Sequence, residues 1–188
     1  ERIESEIEQV RMWSAYHLLD RWSAEAGEFV ERLWRSSTVE IRDSAVTLIG
    51  RYSLETYAFP LLRLFLSNEG GLSSAAALAL GRLRYDPAAK LLVNRFEAIL
   101  GNADLNALEL EGLAESLLMF DNRTYWPVVY ARLAGCQQNH AIFSTLFRLL
   151  CRYVETHEQL RMLSLAYREP REVFHDAHLT QNLVQLIG

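Results

Sequence analysis

The sequence has few of the features that build disulfide frameworks, membrane spans or secretory leaders. Two cysteines, Cys136 and Cys151, are too few for a disulfide framework, and both are expected to be reduced thiols. The longest uninterrupted apolar run, residues 75–80, is far shorter than the roughly 18 residues that could span a bilayer. No basic segment followed by an apolar stretch opens the chain, so no secretory signal is visible. These absences predict a cytoplasmic protein without a membrane-spanning segment.

Catalytic signatures are also absent. The sequence contains no G-x-S-x-G nucleophile motif, no phosphate-binding glycine run and no H-E-x-x-H motif. Glu109, Glu111 and Glu115 cluster on one predicted helix, and the like charges of Glu111 and Glu115 at i, i+4 could raise a carboxyl pKa for acid–base work. A solvated acidic flank explains the same cluster without chemistry. We therefore predict no catalytic residues, no cofactor and a protein that is not an enzyme.

Histidine and cysteine spacing does not match a metal site. One candidate set follows C-x3-H-x10-C-x5-H, which differs from the usual zinc patterns; its members are Cys136, His140, Cys151 and His157. A second pair, His175 and His178, shares a face of the last predicted helix but lacks a third ligand. We predict no bound metal.

One apolar quartet recurs about every thirty residues. Its members follow the spacing i, i+3, i+4, i+7, which is the stripe of an amphipathic helix. The copies begin at residues 15, 45, 76, 110 and 146, in steps of 30, 31, 34 and 36 residues. They are Ala15, Leu18, Leu19, Trp22; Ala45, Leu48, Ile49, Tyr52; Ala76, Ala79, Leu80, Leu83; Leu110, Leu113, Ala114, Leu117; and Leu146, Leu149, Leu150, Tyr153. A period of this size is typical of stacked helical hairpins, because no single hairpin can bury its own apolar face.

A second amphipathic helix is predicted after each quartet helix. In the second repeat the apolar residues of this helix are predicted to lie on one helical face; they are Phe59, Leu62, Phe65 and Leu66. Asp86-Pro87 predicts an N-cap followed by proline at the first helical position. Pro60 and Pro127 are expected early in their helices, where the loss of a backbone donor costs least.

These patterns predict an all-α fold, a right-handed α-solenoid of about five helical hairpins plus a terminal helix over residues 171–187. An apolar fraction of 50% and a charged fraction of 23% with mixed signs are typical of an ordered domain with a continuous core. We predict a single domain over residues 1–188. Because the chain begins with Glu1 rather than Met, we also expect it to be a processed product or a fragment of a longer protein.

Two of the repeats resemble a known family. Residues 41–50 are Ile-Arg-Asp-Ser-Ala-Val-Thr-Leu-Ile-Gly, and residues 74–83 are Ser-Ala-Ala-Ala-Leu-Ala-Leu-Gly-Arg-Leu, followed by Asp86-Pro87-Ala88. They are similar to HEAT-like repeats of the short, phycobilisome-lyase type. In that family a helix rich in small residues ends near glycine, and a turn leads into a second helix with an early proline.

The resemblance is good over residues 37–100, fair over 10–36 and weak over 103–170, where Glu115 and Cys151 occupy the glycine position. It implies a helical-repeat fold and, in most members, an interaction scaffold. Some members are bilin lyases or lyase-like chaperones, and a distant relation among helical-repeat proteins removes alkylated bases from DNA.

Arginine follows the glycine position in four of the five repeats, as Arg21, Arg51, Arg82 and Arg152. Equivalent positions lie above one another in a stack, so these side chains could form a basic ridge that recognises an acidic partner. The alternative is that each arginine is a cation at the end of a first helix, where the helix dipole favours it and nearby acids pair with it.

The second helices carry aromatic and arginine residues beyond their apolar stripes. Such residues dominate protein interfaces, and we predict that the concave face holds an acidic or mixed protein surface through five of them: Tyr57, Arg63, Arg95, Tyr130 and Arg132. A net charge of −5 and a pI of about 5.6 argue against nucleic-acid binding.

The leading functional hypothesis is therefore a non-catalytic protein-binding module, an adaptor, chaperone, or inhibitor or immunity-type protein. The alternatives are a bilin lyase or lyase-like chaperone subunit, on resemblance alone, and a nucleic-acid-binding or base-repair protein.

Overall fold

All regular secondary structure in the described part of the chain is helical. The computed structural model of this chain describes residues 26–67, 70–100, 107–136 and 139–168. Within these ranges there are nine α-helices, one short 3-10 helix and no strand. The predicted all-α class is confirmed for this part of the chain. The right-handed solenoid stays a prediction, and the first quartet and the helix over 171–187 lie outside the described residues.

The helices follow the predicted alternation of first and second helices. They are α1 (Ala26–Trp34), α2 (Val39–Arg51), a 3-10 helix (Glu55–Tyr57), α3 (Ala58–Ser67), α4 (Gly70–Leu83), α5 (Asp86–Leu100), α6 (Ala107–Phe120), α7 (Asn122–Gly135), α8 (His140–Arg152) and α9 (His157–Arg168). The quartet helices are α2, α4, α6 and α8. Asp86-Pro87 opens α5, as its sequence predicts.

The chain forms two compact units, Glu1–Leu92 and Val93–Gly188. In the first unit, α2 packs on α1, and α4 packs on both α2 and α3. In the second unit, α8 packs on both α6 and α7, and α9 packs on α8. In each unit, therefore, a quartet helix lies against both helices of the preceding hairpin. The single domain over residues 1–188 stays a prediction.

The quartets form the buried side of the first helices. The first three members of each described quartet are buried, and in the quartet that begins at Leu110 all four are. The last members of the other three, Tyr52, Leu83 and Tyr153, are partly exposed. The helical period in the sequence therefore located the core correctly in all four described first helices.

The second and third repeats end their first helices with the same turn. Ser53 and Arg84, each eight residues after the start of its quartet, have φ angles of 52° and 50°. The next residue donates its N–H to a helix carbonyl five residues back, Leu54 to Ile49 at 3.0 Å and Tyr85 to Leu80 at 3.3 Å. This is the left-handed C-terminal cap that closes many helices. Its recurrence supports the repeat where the sequence match is best.

Pro127 departs from the predicted position. Asp121 caps α7 by accepting hydrogen bonds from the N–H groups of Arg123 and Thr124 at 3.1 and 3.4 Å, so the helix begins at Asn122. Pro127 is then the sixth residue and lies beyond the first four N–H groups, which need no helical partner. The prediction of an early position was wrong, because the Asp121 cap starts the helix further upstream.

Candidate protein-binding surface

α3 exposes two large apolar side chains. Its buried residues are Ala58, Leu61 and Phe65, whereas Phe59 is 61% exposed and Leu66 is 57% exposed. Phe59 and Leu66 are seven residues apart and share one side of the helix with Arg63, which is also exposed. The apolar face predicted for this helix is therefore buried only in part, because Phe59 and Leu66 face solvent.

The sequence of α3 does not define which side of the helix is buried. The helix Ala-Phe-Pro-Leu-Leu-Arg-Leu-Phe-Leu-Ser is apolar on nearly every side. A helix of this kind has no polar face to define its orientation, so periodicity fits more than one stripe. The packing of α4 against α3 decides the outcome, and the buried hydroxyl of Ser73 in α4 donates to the Phe65 carbonyl at 2.9 Å.

Tyr57, the first predicted contact residue, ties α1 to the 3-10 helix. Its hydroxyl donates to Glu31 Oε2 at 2.9 Å, and its ring lies 5.9 Å from that of Trp34. Burial first, and then the hydrogen bond to Glu31, raise the pKa of Tyr57 to about 12. The hydrogen bond from Tyr57, and then the one from Arg35, lower the pKa of Glu31.

Arg95 and Arg132 bridge helices of the second unit. Arg95 in α5 donates from Nε and Nη2 to Glu109 Oε1 in α6, at 3.0 and 2.8 Å. Arg132 in α7 donates from Nη2 to Glu97 Oε1 in α5 at 2.9 Å. All four side chains keep part of their surface accessible to solvent. Both guanidinium groups are thus held in place by carboxylates on neighbouring helices.

Tyr130 lies between two helices of the second unit. Its ring stacks on that of Trp126, with centroids 5.2 Å apart and planes 9° apart. Its hydroxyl donates to the Met162 carbonyl in α9 at 3.1 Å. Four of the five predicted contact residues therefore make side-chain contacts between helices. The fifth, Arg63, has no hydrogen bond or ion pair to any residue that the structure describes.

The described arginines of the predicted basic ridge lie in different local environments. Arg152 pairs with Glu111 and Glu115 in α6, with N–O distances of 3.0 and 3.6 Å. Arg51 lies 5.8 Å from the ring centroid of Tyr52. The remaining ridge residues are Arg82, which is exposed, and Arg21, which lies outside the described residues. At Arg152 the guanidinium faces two carboxylates of its own chain, so the positive charge there is locally compensated.

Two of the ridge arginines, Arg82 and Arg152, face the residue at the glycine position of the repeat before them. A Cβ atom on Gly50 would lie 3.4 Å from Cδ of Arg82. Glu115 occupies the equivalent position to Gly50 and carries the carboxylate that faces Arg152. Tyr153 also donates its hydroxyl to this carboxylate at 3.2 Å. The departure from the glycine pattern at Glu115 thus supplies a polar link between α6 and α8.

A surface groove lies at the N-terminal end of α3. It has a volume of about 390 Å³ and is lined by Glu55 and Ala58. Its lining also includes Arg84 and Tyr85 of the α4–α5 turn, and Asp86 and Pro87 at the start of α5. The groove carries charges of both signs and therefore has no single electrostatic preference.

The thiols and histidines do not form a reactive or metal-binding centre in the described residues. Burial raises the pKa of the Cys151 thiol to about 12 and also raises that of Cys136, which disfavours the thiolate. No group of three or more histidine, cysteine, aspartate or glutamate residues converges on a metal position in this part of the chain. His175 and His178 lie outside it.

None of the helices described by the structure combines the length and apolar character needed to cross a membrane. Comparison of the chain with protein-family models, curated proteins and solved structures finds no match.

Proposed function

We propose that this chain is a non-catalytic protein-binding module, an α-solenoid of HEAT-like hairpins that holds a protein partner on the face formed by its second helices. An adaptor, a chaperone and an inhibitor or immunity-type protein all use such a face. Tyr57, Arg63, Arg95, Tyr130 and Arg132 are the proposed contact residues.

One observation carries this proposal. The two most exposed large apolar side chains in the described residues, Phe59 and Leu66, lie on one side of a second helix and flank Arg63. A third exposed residue, Leu165, also lies on a second helix, α9. Exposed apolar side chains concentrated beside arginine are typical of protein interfaces.

The solenoid is supported by the packing within each unit. A quartet helix lies against both helices of the hairpin before it in both units, through α4 in the first and α8 in the second. Solenoids are built from this repeated nearest-neighbour contact. The identical caps at Ser53 and Arg84 add evidence that these hairpins are structural copies.

Three of the other proposed contact residues have side chains that are already held in place by contacts within this chain. Arg95 and Arg132 are held by Glu109 and Glu97, and Tyr130 is held by its stack on Trp126. A side chain that is already ordered loses less entropy when a partner binds. These residues therefore suit an interface even though each also contacts its own chain.

The test is partner capture followed by affinity measurement. The chain is immobilised, bound proteins from the native organism are identified, and the purified partner is titrated against Arg63→Ala, Arg95→Ala and Tyr130→Ala. A truncated central contact should weaken binding by about 30-fold or more with the thermal melt unchanged. Arg148→Ala, on the exposed side of α8, is the matched control and should keep full affinity.

Three results would contradict the proposal. One is full affinity in all three variants together with loss of binding in Arg51→Ala and Arg82→Ala, which would place the partner on the ridge. Another is salt-sensitive DNA binding without protein capture, which would favour the nucleic-acid hypothesis. The third is a change in bilin absorbance on mixing, which would favour the lyase hypothesis.

A further inference from the structure

The side of α3 that faces solvent forms a defined apolar surface. We name it the α3 stripe; its residues are Phe59, Leu62, Arg63 and Leu66. Phe59, Arg63 and Leu66 are exposed, and Leu62 is partly exposed at the border with the core. The positions follow i, i+3, i+4, i+7, so the stripe is continuous along one helix face. It covers two helical turns, about 10 Å along the axis.

We infer that the α3 stripe binds an acidic amphipathic helix of a partner protein, with apolar side chains seated on Phe59, Leu62 and Leu66 and a carboxylate paired with Arg63. This inference rests on the proposed function and names the partner segment that the module would recognise.

The charge of α3 favours an acidic partner. Arg63 is the one charged residue between Ala58 and Ser67, and the helix contains no aspartate or glutamate. Arg95, Arg132 and Arg152 each face a carboxylate of this chain, whereas Arg63 pairs with none of the residues that the structure describes. A guanidinium at the edge of an apolar surface gains most from a partner carboxylate, because both groups lose water on docking.

The positive charge of Arg63 also argues against binding of a second copy of this chain to the α3 stripe. A symmetric dimer brings the same patch of both protomers together. Antiparallel pairing of two α3 helices, centred between Phe59 and Leu66, would place Arg63 beside Arg63 of the other copy. Parallel pairing about a two-fold axis would do the same. Without an acidic residue in α3, nothing on the helix relieves this repulsion.

The spacing of the stripe specifies the form of the partner. Helices that dock through one face present apolar residues at i, i+3 or i+4, and i+7. Two such helices pack side by side over about two turns, which is the length of the α3 stripe. The partner segment therefore needs three apolar anchors over eight residues, with aspartate or glutamate next to the central one.

The experiment is a selection from a peptide library, so no knowledge of the native partner is needed. Helix-biased 16-residue peptides, randomised among apolar, acidic and basic residues, are displayed on phage and selected on the full chain. We expect enrichment of aspartate or glutamate beside apolar residues spaced i, i+3 or i+4, i+7. In solution, Phe59→Ser and Leu66→Ser should each weaken the enriched peptides by about 30-fold.

A charge exchange tests the role of Arg63. Arg63→Glu should weaken the acidic peptides by about tenfold or more, and their lysine-substituted versions should recover the lost affinity on this variant. Val39→Ser, at an exposed apolar residue of α2, and Arg148→Glu, at an exposed arginine of α8, are the matched controls and should bind as the parent chain does. Circular dichroism of every variant verifies that folding is retained.

Several outcomes would overturn the inference. No enrichment, enrichment of basic peptides, or undiminished binding to Phe59→Ser and Leu66→Ser would each do so. A dimer in sedimentation that both serine variants convert to monomer would assign the stripe to a second copy instead. If the captured native partner depends on Arg95 and Tyr130 but not on the stripe, the proposed function stands and this inference is wrong. If neither surface affects capture, both fail.

Discussion

Gly50 offers the sharpest test of how α2 and α4 pack. A Cβ atom added there would lie 2.9 Å from Cα of Ala79 and 3.1 Å from its Cβ. Separations below 3.0 Å are essentially never seen for real Cβ atoms, and the closest atom is backbone. In Gly50→Ala, therefore, one helix has to move away from the other, and the surrounding quartet contacts loosen with it.

The expected change in the free energy of unfolding of Gly50→Ala is the difference between two opposing effects. Alanine is favoured over glycine inside a helix by up to about 1 kcal/mol. Overpacking a close helix contact costs about 1–3 kcal/mol. We expect Gly50→Ala to lower the free energy of unfolding by up to about 2 kcal/mol, because the clash involves backbone rather than the end of a flexible side chain.

Gly71 supplies the matched control. It lies in α4, in the same unit as Gly50, and an added Cβ would meet no atom within 4 Å. Gly71→Ala should therefore leave stability unchanged or raise it by up to about 1 kcal/mol. The difference between the two variants, about 1–3 kcal/mol, reports the close approach of α2 and α4 with most of the helix-propensity effect removed.

The assay is urea unfolding followed by far-ultraviolet circular dichroism, with the free energy obtained by linear extrapolation. Both substitutions lie in the first unit, so they are compared on the same unfolding transition. If Gly50→Ala is as stable as Gly71→Ala, the two helices do not approach closely at Gly50, and the packing argument is wrong.

Further predictions concern the core, an ion pair and a tyrosine. Leu80→Ala should lower the free energy of unfolding by about 2–5 kcal/mol because Leu80 is fully buried. In the same urea titration, Leu66→Ala should lower it by under about 0.5 kcal/mol because Leu66 is exposed. Similar losses in the two variants would mean that one of these residues is on the wrong side of its helix. A double-mutant cycle of Glu115→Gln with Arg152→Ala should give a coupling below about 1 kcal/mol that falls in 1 M NaCl, since Arg152 is half exposed; a salt-independent coupling would contradict the solvent-screened pair. Tyr57 should titrate near pH 12 by ultraviolet absorbance, because its burial and then its hydrogen bond to Glu31 raise its pKa. Its contribution to stability should be complete below pH 10 and lost as the pH rises from 10 towards 12, because the folded state holds the proton more tightly than the unfolded chain. In Tyr57→Phe that pH-dependent loss should be smaller, and an ordinary tyrosine pKa in the parent chain would contradict both the burial of Tyr57 and its hydrogen bond to Glu31.

The polar caps of the later helices show how much local information the sequence holds. Thr156 and Gln159 form a reciprocal cap at the start of α9, in which Thr156 Oγ1 accepts from the Gln159 N–H and Gln159 Oε1 accepts from the Thr156 N–H, at 3.2 and 3.1 Å. Their Thr-x-x-Gln spacing is visible in the sequence and could have located this helix start. Asn139 similarly caps α8 by accepting from the Ile142 N–H at 3.3 Å.

The turns could not be predicted in the same way. Ser53 and Arg84 adopt positive φ angles, a conformation for which glycine is the usual residue. No glycine marks either position, so the sequence has no local signal for the cap. The hydrogen bonds from Leu54 and Tyr85 hold the turn, and they exist only once the first helix has formed.

In the described part of the chain, the sequence by itself determined the helices and the buried side of the four first helices, because burial of an apolar stripe follows directly from a period of 3.6 residues. Only the tertiary structure decided which side of α3 is exposed, since that helix is apolar almost all round and its neighbour α4 selects the buried side. It also decided the partners of the arginines. Arg95 pairs with Glu109, and Arg152 pairs with Glu111 and Glu115, because different helices pack together. The spacing of charges within one helix does not predict such a contact.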